Sequence, residues 1–414
     1  MAVDSGSVTS LDERRFFESY IARRKPFKFT SWLADPELKA SRELWTDDYL
    51  IAKAGDAKLQ VEKRLSSRDR FGRGKEHEVT LREFLLAKDE NCYLTTQELV
   101  HDEEGRPAII SPPLDKLQGD FPWRPRLMGH LIPQNINLWM GYTKEYSSSG
   151  LHHDYHDNLY LLLQGSKHFD LYPVEEIDNM YTYGEVLKVH VNGRVNYVGQ
   201  PTNADGSDFQ AIHALESSLA LEKALNRLEA NEDDEEAEEE VERALERALD
   251  AEMSGEVVGS DEEDSSSEEE PFALEPSIEE AIAKSLPTSK HPLSEKGRTA
   301  VSPPDSKRRR KSTTDAEPMS FSRVDTSLSE EELKKLFPRF LDARKRRLEV
   351  DLQAGEMLYI PAGWFHEVRS RADGTDGAHI ALNYWFHPPD SMDFDKPYAT
   401  DFWPRDWEDR VLRN

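Results

Sequence analysis

Hydrophobic and polar positions fall into blocks of different period along this chain. Near the start, FFESYIARRKPFKF (16–29) spaces its apolar residues as a helix and then alternates as a strand. LQVEKR (59–64) reads as a further strand, and LREFLLA behind Thr80 as a short capped helix. From Asn135 to Tyr172 the pattern is strand-rich, with Gly150 and Gly165 as turn points. Helical spacing returns at Leu215, Leu219, Leu225 and Leu228, and again at Val241, Leu245 and Leu249. A helix is predicted over 329–346, and from Leu348 onward the chain is again strand-like and aromatic.

Charge separates these blocks into three parts, 14–200, 201–320 and 321–414. The whole chain carries −28, and 201–320 holds 32 acidic against 13 basic residues, so −19 of that charge sits there. The same segment has only Phe209 and Phe272 as aromatics and none of the eight tryptophans, too little to build a packed core. It is expected to be a long, mostly disordered acidic insertion. A solvated or partner-seeking helix fits 211–250, whereas self-repulsion should keep 232–240 and 261–270 extended.

The single cysteine, Cys92, excludes a disulfide framework and any cysteine-rich zinc module. No run approaches the roughly 18 apolar residues of a membrane span, and no signal peptide is visible, so a soluble intracellular protein is expected.

The candidate chemistry lies in SSSGLHHDYHDNLYLLLQGSKHFDLYP, which begins at Ser147. On a strand, His152 and Asp154 share a face and can point at one ion; on a helix they would diverge. A ferrous site that activates oxygen needs two imidazoles and one carboxylate on one side of an octahedron. His366, in AGEMLYIPAGWFHEV, is the candidate for the third ligand, delivered by a strand after a Pro-Ala-Gly turn. An HxD pair is not specific by itself, because His168-Phe169-Asp170 is a second and His101-Asp102-Glu103 a looser third, and His152, His153 and His156 could be surface histidines of a loop. Alternation helps to decide: if Lys167 points inward, so do Phe169 and Leu171, and His168 and Asp170 turn outward.

These segments, with HIALNYWF after them, are similar to the signature strands of the JmjC, cupin-like dioxygenases. The similarity covers HxD, Asn four residues after the Asp, G-x-K before a strand, G-E-x-x-Y-x-P-x-x-W-x-H, and Asn-aromatic-Trp; it extends more weakly to WTDDYL and NCYLTTQ. The resemblance implies a mainly β, α+β fold, a double-stranded β-helix of jelly-roll type with flanking helices, interrupted by the insertion. It implies Fe(II) held by His152, Asp154 and His366, with 2-oxoglutarate and O2 as cosubstrates. Lys167 would pair with the distal carboxylate of 2-oxoglutarate. Tyr93 and Ser149 match positions that bond the same carboxylate, and Asn158 and Asn383 match positions lining the pocket. Trp364 and Trp385 are read as core.

The implied reaction couples decarboxylation of 2-oxoglutarate to hydroxylation of a protein side chain, lysyl, asparaginyl or arginyl. Hydroxylation of an N-methyl group would release formaldehyde instead, so a histone lysine demethylase is the alternative, with a tRNA-base hydroxylase third. The acidic balance argues against a nucleic-acid partner. In a non-catalytic reading the barrel is a scaffold and the insertion binds a basic protein or a histone. SIEEAIAKSL (277–286) is loosely like a ubiquitin-interacting helix, and KRRRK (307–311) reads as a nuclear localisation signal beside the cytoplasmic alternative.

Overall fold

The computed structural model describes residues 2–64, 74–102, 106–230, 235–255, 317–374 and 377–412. It divides into Met1–Ile212 with Ser302–Asn414, and His213–Val301. The acidic run 261–270, SIEEAIAKSL and KRRRK lie outside the described residues. Among the described residues no helix is long and apolar enough to cross a membrane.

The first unit is a double-stranded β-helix, two sheets facing one another with helices on the outside of one. The larger sheet runs, in spatial order, Asp4–Gly6, Phe27–Phe29, Met357–Ile360, Asp157–Gln164, His379–Phe386, Pro133–Gly141, Cys92–Leu94, Lys58–Lys63 and Lys75–Thr80. The smaller runs Leu348–Gln353, Ser166–Tyr172, Phe365–Arg371 and Ser147–Ser148, with His152–His153 also paired to Phe365–Arg371.

Every residue of His379–Phe386 is buried, because this central strand is covered on both faces. Ile380, Leu382, Tyr384 and Phe386 pack with Phe16, Phe29 and Tyr359 under the N-terminal helices. On the opposite face Ala381 meets Tyr160, Leu162, Phe169, Leu171, Val350 and Leu352 between the sheets. Phe169 and Leu171 therefore point inward as alternation requires, and His168 is half-exposed beside Asp351.

Local signals explain the flanking elements. Asp12 caps the helix Glu13–Phe16 by accepting from Arg15 N, and Thr80 and Glu83 form a reciprocal capping box on Leu81–Ala87. The helix expected over 329–346 is broken. Ser329 and Glu332 cap Glu330–Leu336, and the chain then turns at Phe337, since the residue before Pro338 is disfavoured in the helical region. A second short helix follows at Phe340–Ala343, ending in a 3-10 turn, Arg344–Arg346.

Two expectations for the insertion are corrected. Residues 201–208 belong with the barrel: Thr202, Asp205 and Ser207 are buried, and Arg194 Nε donates to Thr202 Oγ1 at 2.9 Å. The acidic run, expected to be extended, is helical from Glu235, within Glu235–Gly255. The second unit is built from that helix and Phe209–Ala230, with Leu221 and Ala224 against Val241 and Ala244. Arg227 offsets the repulsion by pairing with Glu240 at 2.8 Å and Glu236 at 3.4 Å.

One buried carboxylate pins the N-terminal helix to the barrel. Asp157 is bound by both terminal nitrogens of Arg24, by Tyr359 OH at 2.7 Å and by Ala362 N at 2.9 Å. Trp364 Nε1 in turn donates to Arg24 O at 3.0 Å. Removing one partner strands a buried charge, which costs far more than a surface ion pair. Arg24→Met should therefore lower stability by about 3–5 kcal/mol in urea unfolding; a loss under about 1 kcal/mol would mark the pair as surface-like.

Candidate metal centre

Antiparallel register makes the site. His152 and His366 are direct partners across the pair formed by His152–His153 and Phe365–Arg371, so their side chains leave the sheet side by side. Their rings lie 4.4 Å apart between centroids. Asp154 stands just past the end of its short strand, held by Gly363 N donating to its carbonyl at 3.0 Å. Its Oδ2 is 3.7 Å from His366 Nε2, and ligand atoms of His152, Asp154 and His366 all fall within 4.8 Å of one another. All three residues are buried.

Hydrogen bonds fix which ring nitrogens are left to face a metal. His152 Nδ1 lies 2.9 Å from Gly150 O, and His366 Nδ1 lies 3.0 Å from Trp364 O. A carbonyl oxygen only accepts, so each Nδ1 carries a proton and Nε2 is the ring nitrogen left to face a metal. Asp154 Oδ2 accepts from Asn158 Nδ2 and from Trp385 Nε1, both at 3.1 Å. Asn158 Oδ1 then accepts from Asn383 Nδ2 at 3.2 Å, and Asn383 Oδ1 from Trp139 Nε1 at 2.7 Å. Two imidazoles and one carboxylate, each oriented by an outer partner, fit a ferrous ion with open positions.

The neighbouring histidines have other roles. His153 faces away, its Nε2 bonded to Tyr197 OH at 2.7 Å, and burial pushes its pKa down to about 4, so it stays neutral. His156 is buried beside Trp385 and His387, with its pKa pushed down to about 3 by burial. Phe321, from the segment that re-enters the barrel after the insertion, stacks on the His152 ring at 4.8 Å and 12°.

His168, Asp170 and Glu349 form a second cluster of metal-binding residue types. It lies on the outer face of the smaller sheet, where Asp170 pairs with Arg369 and Arg347, and Arg347 also with Glu349. Two arginines already neutralise these carboxylates, so the cluster is an ion-pair network. In the third pair, Asp102 is taken by Arg106 at 2.8 Å, and Glu103 lies outside the described residues.

A separate buried polar cluster lies further along Phe365–Arg371. Lys167 is opposite Ser370 in register and is buried, with Nζ donating to Ser370 Oγ at 2.6 Å and to Tyr93 OH at 3.2 Å. No carboxylate pairs with it among the described residues, and burial pushes its pKa down to about 7. Burial pushes the Tyr93 phenol up, keeping it a neutral hydroxyl. Ser149, by contrast, spends its hydroxyl on the backbone, donating to Gly150 O and accepting from Val368 N, both at 3.0 Å. Of the five residues expected around the cosubstrate, Lys167 and Tyr93 meet, Asn158 and Asn383 join the network behind Asp154, and Ser149 stands in a backbone bulge. Sequence reasoning missed Ser370, the polar role of Trp385, and Phe321. Ser370 had a signal, four residues after His366 and so on its face of the strand; Phe321 had none.

Loosening Asp154 should weaken metal binding without unfolding the chain. In an anaerobic Fe(II) titration, Asn158→Ala and Trp385→Phe should each lose about tenfold to a hundredfold in affinity. Wild-type affinity in both would contradict the role given to these hydrogen bonds.

Comparison with known proteins places this geometry. The cupin-like domain model matches residues 13–392. JmjC domain-containing protein 4 of Schizosaccharomyces pombe is 32% identical over 421 residues, 95% of this chain and 86% of its own. Lysine-specific demethylase JMJ32 of Arabidopsis thaliana is 44% identical over 63 residues, 15% of this chain and 16% of its own. The human bifunctional peptidase and (3S)-lysyl hydroxylase JMJD7 is 33% identical over 67 residues, 16% of this chain and 20% of its own. With the domain matched over nearly its whole length and the His-Asp-His set in place, the chain belongs to the cupin-like JmjC family.

Proposed function

We propose that this protein is an Fe(II)- and 2-oxoglutarate-dependent oxygenase that hydroxylates a protein side chain. The observation that carries the reading is that one strand, Phe365–Arg371, serves two pockets four residues apart. His366 contributes to a set of metal ligands, and Ser370 to a buried cationic site around Lys167 that lacks a carboxylate. An unpaired buried ammonium is costly, and a dicarboxylate that reaches from the metal to Lys167 would satisfy it.

His152, Asp154 and His366 would hold the iron, and Lys167, Tyr93 and Ser370 the distal carboxylate of 2-oxoglutarate. With O2 as co-reactant, these groups when bound would supply an oxidant for a substrate C–H bond, one oxygen atom going to the substrate hydroxyl and the other to succinate as carbon dioxide leaves. Asn158 and Trp385 keep Asp154 in place, and Phe321 covers one face of His152. Phe169, Leu171 and Ala381 line the dry interior between the sheets, which strengthens polar contacts made there. The acidic part of the insertion, beyond residue 208, would contact a basic partner such as a histone, and KRRRK would direct the protein to the nucleus.

One relative is named as a (3S)-lysyl hydroxylase, which supports the first reading; another is named as a lysine-specific demethylase, which supports the alternative. Oxygen-dependent succinate release should occur in the iron-loaded protein and disappear in His152→Ala and Asp154→Ala. A substrate that gains one oxygen atom by mass spectrometry means hydroxylation, and formaldehyde release means demethylation. No succinate from iron-loaded wild type, with any protein extract as substrate, would contradict the oxygenase reading.

Binding should also depend on pH. A carboxylate favours the ammonium form, so it raises the Lys167 pKa from about 7 and binding takes up a proton above that pH. Affinity for 2-oxoglutarate should then be full below pH 7 and fall by up to about tenfold per unit as pH rises above it. A flat profile from about pH 6 to 9 would show that Lys167 is not the anchor.

A further inference from the structure

The interior face of His379–Phe386 presents Trp385 and Asn383 to the metal-side network, then Ala381, then His379. His379 is thus six residues along the strand from the group that touches Asp154, at the end where Lys167 lies. It is fully buried, and neither ring nitrogen has a hydrogen-bond partner. Its ring lies against Tyr93 at 5.4 Å between centroids, and Tyr93 OH is the hydroxyl bonded to Lys167. Ser147, opposite Ser370 in register, likewise has a buried hydroxyl without a partner.

The fold makes room for this imidazole at a cost. Gly141 is the direct cross-strand partner of His379, and a Cβ there would stand 2.8 Å from the ring. A glycine inside a strand weakens it, and an unpaired buried polar group weakens the fold further. An apolar side chain would fill the same space without the second penalty. Burial, Lys167 and Arg64 hold the ring's pKa well below the usual histidine range. The ring is therefore neutral, with one N–H to donate.

We propose that His379 is a further ligand-binding residue of the Lys167 pocket, donating its N–H to the distal carboxylate of a 2-oxo dicarboxylate and making the site selective for diacids. The inference rests on the oxygenase reading and deepens it. It explains why a polar ring is kept in a dry place beside a lysine and a tyrosine that already have each other. It also predicts an opposition between stability and binding, since the group that strains the empty pocket is the one that serves the filled one.

The test compares 2-oxoglutarate with 2-oxopentanoate, an acid of the same chain length without the distal carboxylate. Anaerobic calorimetry on the iron-loaded wild type, His379→Leu and His379→Gln gives both affinities, and thermal unfolding gives the stability. His379→Leu should weaken 2-oxoglutarate binding about tenfold or more while leaving 2-oxopentanoate and iron binding unchanged. Its Tm should equal or exceed that of wild type. His379→Gln, which keeps an N–H, should recover most of the loss. Wild-type 2-oxoglutarate affinity in His379→Leu, or an equal loss for both acids with a lowered Tm, overturns the inference and leaves the oxygenase reading intact. If wild type itself binds neither acid, the oxygenase reading falls and this inference with it.

Discussion

The register of Phe365–Arg371 against its neighbours is the constraint on which the two pockets depend. His366, Val368 and Ser370 face the interior, His366 beside His152 and Ser370 beside Lys167. A slip of one residue would exchange the faces, sending His366 and Ser370 outward and Glu367 and Arg369 into the barrel. The outer face resists that slip. Glu367 is bonded to Ser148 and to Thr326, and Arg369 is paired with Asp170. Moving those charges between apolar walls would leave them desolvated and unpaired.

A second constraint acts from behind. Asp157 lies three residues beyond Asp154, and its partner Ala362 lies four before His366. The same carboxylate that anchors Arg24 therefore ties the two ligand-bearing segments together outside the sheet. Inside, Asn158 and Trp385 aim Asp154. The metal-binding atoms are set by strand pairing, by backbone carbonyls at both Nδ1 atoms and by side chains from two other strands, so the site is organised before any ion arrives. The cluster around Lys167 differs in kind. Its lysine is buried against hydroxyls with no carboxylate among the described residues, and its neutral histidine is buried without a hydrogen-bond partner, so both cost stability as they stand.

Much of this was legible in the sequence because it depends on local spacing. The HxD pair, the inward set Lys167, Phe169 and Leu171, the capped helix after Thr80 and the glycine turns at Gly150 and Gly165 follow from periods of two and from turn chemistry. What was not legible depends on partners distant in the chain. Trp385 read as core because an indole is mostly apolar, and only the fold shows its N–H directed at Asp154. His379 and Phe321 gain their meaning from cross-strand neighbours or from a chain that returns after more than a hundred residues. Two misreadings had local signals that were outweighed. Pro338 stood inside the helix expected over 329–346, and Ala237 and Val241 gave the acidic run an apolar stripe that closes against Phe209–Ala230.

The central claim is that one barrel interior holds a metal and a dicarboxylate on the same strand. The most direct measurement is an anaerobic titration of iron-loaded protein with 2-oxoglutarate, following the visible charge-transfer absorption that a chelating 2-oxo acid produces on ferrous iron. The account predicts that the band appears at saturation with one equivalent in wild type, needs far more 2-oxoglutarate in Lys167→Ala, and is absent in His366→Ala. A folded wild-type protein that takes up iron and shows no band, or a Lys167→Ala protein that saturates like wild type, would contradict it.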